Sequence, residues 1–323
     1  VRRRVNSLRN KLHYLSWPLA LGLLLWVLSL LPRQALLQAI AGLTVFQWLL
    51  WIGLNLLIIL LLAARWQVLT RAMGAVTTLG SLIRVRQAGQ LISFVTPGPQ
   101  FGGEPLQVYW LWKRYGLPGH AAFLAVGLDR FYELWINFSI LLLAIVALAA
   151  TAAATDAALF DWRLPALILL VLVILLMAMA GFLLRHPARV EAWIQRVSRP
   201  WQSHPRLGPL ARQWPEQWSK LHGSLQALIS QRRAALGLAL LLSLLGWAGM
   251  IVEFWLLLRF AGLEVNAGEF VLLFTVLRLA FLLPLPGGIG TVEAGLLLAF
   301  QALALPLSAA AGLIALMRLR DVL

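Results

Sequence analysis

Long apolar runs alternate with short polar segments along this chain. A helix needs roughly 20 consecutive apolar residues to cross a bilayer. Runs at about 15–31, 47–64, 120–150, 164–184 and 235–260 meet or approach that length, and 307–323 reads as the start of another. Two further apolar stretches are broken. One runs from Leu91 to Trp112 and is interrupted by Pro97, Pro99, Gly102 and Gly103; the other runs from Phe270 to Phe300 and is interrupted by Pro284, Pro286, Gly287, Gly288 and Gly290. Non-helical backbone at membrane depth persists only where protein or a polar cavity surrounds it. The pattern therefore predicts an all-α, polytopic transmembrane bundle, a single domain over 1–323, with two re-entrant hairpins each built of two half-helices.

The two broken stretches match in spacing. Pro97 stands seven residues before Glu104, and Pro286 stands seven before Glu293. Leu117-Pro118 corresponds to Leu305-Pro306, each at the start of a new helix, where proline is well suited to the first turn. Arg130 and Glu133 lie twelve and fifteen residues beyond Pro118; Arg318 and Asp321 lie twelve and fifteen beyond Pro306. These features, in one order at one spacing, define a repeat over about 76–150 and again over about 267–323. Three crossings separate the two hairpins, so the second enters from the opposite face, giving an inverted-topology repeat. Twelve helical residues rise ~18 Å, which carries Arg130 and Arg318 towards the bilayer middle from opposite sides.

Composition supports lipid as the solvent. Of 323 residues 61% are hydrophobic and 12% charged, with mean hydropathy +0.83; a soluble domain is nearer half apolar and a quarter charged. Cysteine is absent, which removes disulfides, thiolate metal sites and cysteine nucleophiles. The histidines are scattered without metal-ligand spacing, so no metal or cofactor is expected. The formal charge of +15 reads as basic loops facing anionic lipid heads rather than nucleic acid, for which there is no motif. Basic residues gather in the N-terminal segment, around Arg65, Arg71, Arg84 and Arg86, at Lys113 and Arg114, and in the stretch 185–233, where nine Lys or Arg face Glu191 and Glu216. That asymmetry predicts a cytoplasmic N-terminus. Pro215 to Ile229 has apolar residues at helical spacing. It suits either an interfacial amphipathic helix or a linker helix packed on the bundle. The chain begins with Val1 and ends within an apolar helical pattern, so a piece of a longer chain, truncated within the second repeat, is expected; no cleavable signal peptide is apparent.

Ionisable groups within the apolar runs carry the candidate chemistry. A charge at the bilayer centre costs about 2.5 kcal/mol or more, and such residues are functional by default. Asp129, Arg130, Glu133, Arg318 and Asp321 therefore need partners, and an arginine three residues before an acid shares its helix face. Arg278 and Glu253 add two more ionisable groups. The arginines suit a phosphate or phosphodiester through forked hydrogen bonds. The turns Gly102-Gly103 and Gly287-Gly288 bring backbone N–H groups and half-helix starts to the same region, where anions are favoured. Glu104 and Glu293 suit capping of the turns as well as direct contact with substrate, pairing with the arginines or proton carriage. The opposing reading is that all these charges are internal ion pairs fixing helix register. Trp110, Trp112 and Trp135 read as belt or packing residues. Nucleotide-binding loops, zinc-protease helices and nucleophile elbows are absent, so catalysis and ATP-driven pumping are not expected.

The segments Phe94-Val-Thr-Pro97-Gly-Pro-Gln-Phe-Gly-Gly-Glu104 and Leu283-Pro-Leu-Pro286-Gly-Gly-Ile-Gly-Thr-Val-Glu293 resemble the two signatures of the lysylphosphatidylglycerol synthase transmembrane-domain family. That family includes the flippase domain of the multiple peptide resistance factor and stand-alone flippase-like bacterial membrane proteins. The resemblance covers about 15–323 and is more specific in its C-terminal signature; Pro99 stands where the second copy has Gly288. It implies a lipid flippase of the bacterial inner membrane acting on a phospholipid or a polyprenyl-phosphate-type lipid. A membrane enzyme or enzyme subunit acting on lipid-linked intermediates through Glu104 or Glu293 is the alternative, and a scaffold recruiting a partner through the basic loop is a third. The aminoacyl-transferring domain of two-domain members is not present in this sequence, so lysyl transfer is not expected. The lipid and the oligomeric state, a homo-oligomer included, stay open.

Overall fold

Thr44 marks where the first long helix begins. Its hydroxyl accepts the Gln47 N–H at 3.3 Å, and the Gln47 side chain accepts the Thr44 N–H at 2.8 Å. This reciprocal cap starts α1 (Val45–Ala72). In this computed structural model the residues described are 41–96, 102–155, 163–203, 208–283 and 285–322, plus scattered helical positions between 18 and 29. The basic N-terminal segment, most of the expected crossing at 15–31, and Pro97, Pro99, Asp156, Asp161 and Pro284 lie outside the described residues.

The helices after α1 are α2 (Leu79–Val95), α3 (Glu104–Lys113), α4 (Gly119–Thr155), α5 (Arg163–Arg185), α6 (Pro187–Gln202), α7 (Gly208–Gln231), α8 (Arg233–Phe260), α9 (Ala267–Ala280), α10 (Thr291–Ala302) and α11 (Leu307–Val322). No strand occurs among the described residues. Helices α1, α4, α5 and α8 are long and apolar enough to cross a bilayer. Helix α5 exposes Leu164, Leu167, Ile168, Ile174, Leu175 and Met179 over most of its circumference. An all-round apolar surface of this kind belongs in lipid rather than water. The chain is thus an all-α, multi-pass membrane protein.

Two groups of helices flank the centre. In the first, α2, α3 and α4 close with the end of α1 over Trp66, Leu82, Val85, Leu111 and Ala125. In the second, α9, α10 and α11 close with α8 over Phe254, Leu277, Leu296, Phe300 and Leu313. Each group holds a helix, a glycine-rich break, a short helix and then the helix carrying the Arg-x-x-acid pattern. Among the described helices the most extensive packing is that of α1 against α8. It depends on Gly249 and Gly246, where an added Cβ would meet Ile58 at 2.8 Å and Leu62 at 2.9 Å.

The stretch 185–233 forms two helices, where the sequence pattern singled out one. Helix α7 packs on α6 and also on α4. The indole of Trp218 donates to the Pro187 carbonyl at 3.3 Å, tying α7 to the start of α6.

Candidate functional site

Two clusters of charge lie inside the bundle. In the first, α4 presents Asp129, Arg130 and Glu133 to three other helices. Arg65 of α1, completely buried, holds Asp129 at 2.6 Å and reaches the Ser243 hydroxyl of α8 at 3.3 Å. Arg86 of α2 grips the other Asp129 oxygen at 2.9 Å and stands 4.0 Å from Glu133. Arg130 pairs with Glu133 at 2.9 Å and with Glu104, the first residue of α3, at 2.8 Å.

The second cluster repeats this arrangement. Arg318 of α11 pairs with Glu293 of α10 at 2.5 Å and with Asp321 at 2.8 Å. Arg320 bridges Asp321 at 3.0 Å and Glu253 of α8 at 3.3 Å, while the Trp51 indole donates to Glu253 at 3.1 Å. In both clusters one arginine therefore joins the glutamate of the short helix to the acid three residues further along its own helix.

Each glutamate also caps its glycine break. The Gly102 N–H donates to Glu104 at 2.7 Å, and the Gly290 N–H donates to Glu293 at 2.8 Å. The Gly103 N–H is taken by the Ser93 hydroxyl at 2.9 Å. Gly287 and Gly288 turn their carbonyls, not only their N–H groups, towards Arg318, at 3.4 and 3.2 Å. These glycines are required by conformation: Gly287, Gly288 and Gly290 have φ of 57°, 63° and 82°. A side chain on Gly287 would also strike the Phe94 ring of α2, where the second break packs against the first helix group. Of the backbone N–H groups that the sequence offered to an anion, those of Gly102, Gly103 and Gly288 are thus taken by Glu104, by the Ser93 hydroxyl and by the Leu285 carbonyl.

Arg278 of α9 is different. Its Nε and Nη2 donate to the Asn137 amide oxygen of α4 at 3.1 and 2.9 Å, and its guanidinium stacks over the Trp247 ring of α8, 4.4 Å from the centroid. Among the described residues no carboxylate lies within ion-pair distance of it. It is thereby joined to α4, which carries the first cluster, and to α8, which carries Glu253 of the second.

All the sequence candidates thus fall in or beside these clusters, but Arg65, Arg86 and Arg320 were missed. Arg65 and Arg86 were read with Arg71 and Arg84 as loop charges. Arg71 and Arg84 are exposed, whereas Arg65 and Arg86 are buried on Asp129. Their position inside apolar helical runs was the available signal. Among the described residues no three His, Asp or Glu side chains gather as a metal site requires.

An apolar cavity of about 1300 Å³ adjoins the first cluster. It is walled by α4, by α5 from Val173 to Arg185, and by Trp218, Leu221, Leu225 and Ile229 of α7, with Arg130 among its lining. Ligand pockets for small molecules run to roughly 300–1,000 Å³, so this one has room for long hydrocarbon chains.

The chain is 27% identical, over 78% of its length and 73% of the relative's, to a UPF0104 membrane protein of Methanothermobacter thermautotrophicus. A second UPF0104 membrane protein, from Methanocaldococcus jannaschii, is 22% identical over 82% of this chain and 77% of that one. No solved structure is a significant match. Residues 15–323 match the family described as Lysylphosphatidylglycerol synthase TM region; with nearly the whole chain covered, this protein belongs to that family.

Proposed function

We propose that this protein carries an anionic, phosphate-bearing lipid across the cytoplasmic membrane. The observation that carries this reading is Arg278: a guanidinium inside a membrane protein, held by an amide and an indole face and lacking a carboxylate among the described residues. Such a charge is costly in the bilayer unless something anionic comes to it. Arg130 adds the amphiphilic feature, since it is both a member of the first cluster and part of the wall of an apolar cavity. A headgroup phosphate at Arg278, Arg130 and Arg318, with its chains in the cavity and the bilayer, matches that polarity.

The two glycine breaks act as re-entrant hairpins in this reading. Three long apolar helices, α4, α5 and α8, separate them, so the second hairpin faces the opposite leaflet and the two helix groups form an inverted repeat. Rocking one group against the other would expose the arginines to each side in turn. The N-terminus is cytoplasmic, following the excess of Lys and Arg in 185–233.

Reconstituted vesicles scanned with labelled anionic and zwitterionic lipids test the proposal. Flux of the preferred anionic lipid should fall by about tenfold in both Arg130→Ala and Arg318→Ala, the loss of roughly one charge-assisted hydrogen bond. Rates equal to those of protein-free vesicles for every lipid would overturn the proposal. Recovered lipid should be unchanged in mass; a covalently altered lipid would put chemistry in place of transport.

A further inference from the structure

Helices α6 and α7 form a hairpin fixed at both ends to spanning helices. Only His186 separates the end of α5 from the start of α6, and only Arg232 separates α7 from α8. Neither helix of the hairpin qualifies as a crossing. A hairpin tethered this way stays at the level of the lipid headgroups.

Its two sides differ in what they meet. Val190 and Ser198 of α6 are buried against the hairpin, and Leu221, Leu225 and Ile229 of α7 turn to the cavity. The outer side of α6 is exposed among the described residues. Positions 189, 193, 196, 197 and 200 follow the three-and-four spacing of one helix face. They are Arg189, Trp193, Arg196, Val197 and Pro200, all exposed, with Trp193 at 60% and Arg199 beside them. Arg189, Arg196 and Arg199 make no ion pair among the described residues. An indole and a valine set among unpaired arginines suit an interfacial helix, with its aromatic at the acyl boundary and its cations among the phosphates.

We infer that the outer face of α6 is a docking surface for the anionic headgroups of the leaflet it adjoins. The arginines supply the attraction and Trp193 and Val197 the insertion. The occupant is bulk anionic phospholipid, distinct from any single lipid held at Arg278, and the inference stands whether or not lipid is transported. It gives the hairpin two contacts, leaflet on one side and cavity wall on the other.

The absence of cysteine allows a single probe to test this. The full chain carrying Ala192→Cys, labelled with a polarity-sensitive dye, is reconstituted in phosphatidylcholine vesicles with or without phosphatidylglycerol, each containing a headgroup-level spin-labelled lipid as quencher. Quenching should be greater with phosphatidylglycerol, and added salt should remove most of that increment. In Arg189→Gln/Arg196→Gln/Arg199→Gln the increment should shrink at least about threefold, since each arginine near an anionic surface contributes independently. Circular dichroism and the unfolding midpoint of the triple variant confirm that it is folded. Equal quenching in both vesicles, or an increment unchanged in the folded triple variant, would overturn the inference. Transport assays are not involved, so failure here leaves the proposed function untouched.

Discussion

Replacing Arg278 by leucine should lower anionic lipid flux by roughly 10- to 100-fold, because hydrogen bonds to a charged group are worth about 1.5–3 kcal/mol. The same change should leave the unfolding midpoint unaltered or raise it. Arg278 pairs with Asn137 and Trp247 but with no carboxylate among the described residues, so its removal strands no buried anion. The desolvated charge itself is a cost of several kcal/mol that leucine avoids, and it offsets the roughly 1.5–3 kcal/mol of the charged hydrogen bonding to Asn137 together with the lost stacking on Trp247. This combination, lost flux with retained stability, separates a substrate-binding group from one that fixes helix register. Arg278→Lys keeps the charge but not the planar fork and should fall between leucine and the native residue. Native flux in the leucine variant, or a loss of stability as large as the loss of an internal ion pair, would return Arg278 to a packing role.

Asp129→Ala should do the opposite. Asp129 is the common anion between Arg65 and Arg86, both buried and drawn from different helices, at 2.6 and 2.9 Å. Removing it leaves two guanidiniums facing one another without compensation, and breaking a buried pair from one side costs about 3–5 kcal/mol. Thermal unfolding in detergent reads this directly. Glu216→Gln is the control: its partner Lys220 stands on the surface of α7, side chains 64% and 50% exposed, and solvent screens such a pair so that its loss should barely move the midpoint. A midpoint shift for Asp129→Ala no larger than that of Glu216→Gln would show that the first cluster does not hold the helices together.

The sequence carried the parts that are local. Uninterrupted apolar length marked α1, α4, α5 and α8, since crossing a bilayer depends on composition and length alone. The Arg130–Glu133 and Arg318–Asp321 pairs were legible because residues three apart share a helix face. Partners arriving from elsewhere were not. Arg65 and Asp129 are 64 residues apart, and Trp51 and Glu253 are 202 apart; no periodicity encodes which helix approaches which. Arg65 was mistaken for a loop charge because charge near a predicted helix end normally marks an interface. Here α1 runs on to Ala72 and keeps that arginine inside. The isolated position of Arg278 was invisible for the same reason, since lacking a counter-ion is a property of the packed neighbourhood. Helix α6 escaped notice because its polar composition resembles a linker, and only its contact with α7 reveals which side is free.

The sum of the interior charges bears on how such a carrier would be powered. Among the described residues six interior arginines (Arg65, Arg86, Arg130, Arg278, Arg318 and Arg320) stand with six carboxylates (Glu104, Asp129, Glu133, Glu253, Glu293 and Asp321), so their formal total is zero. Over a complete cycle these groups return to where they began, so they do no net electrical work of their own. The current in each cycle is then the current of the cargo, about 2.3 kcal/mol per elementary charge for every 100 mV. A negative cell interior would push a singly anionic lipid outward without any nucleotide, and the membrane voltage would serve as the motor.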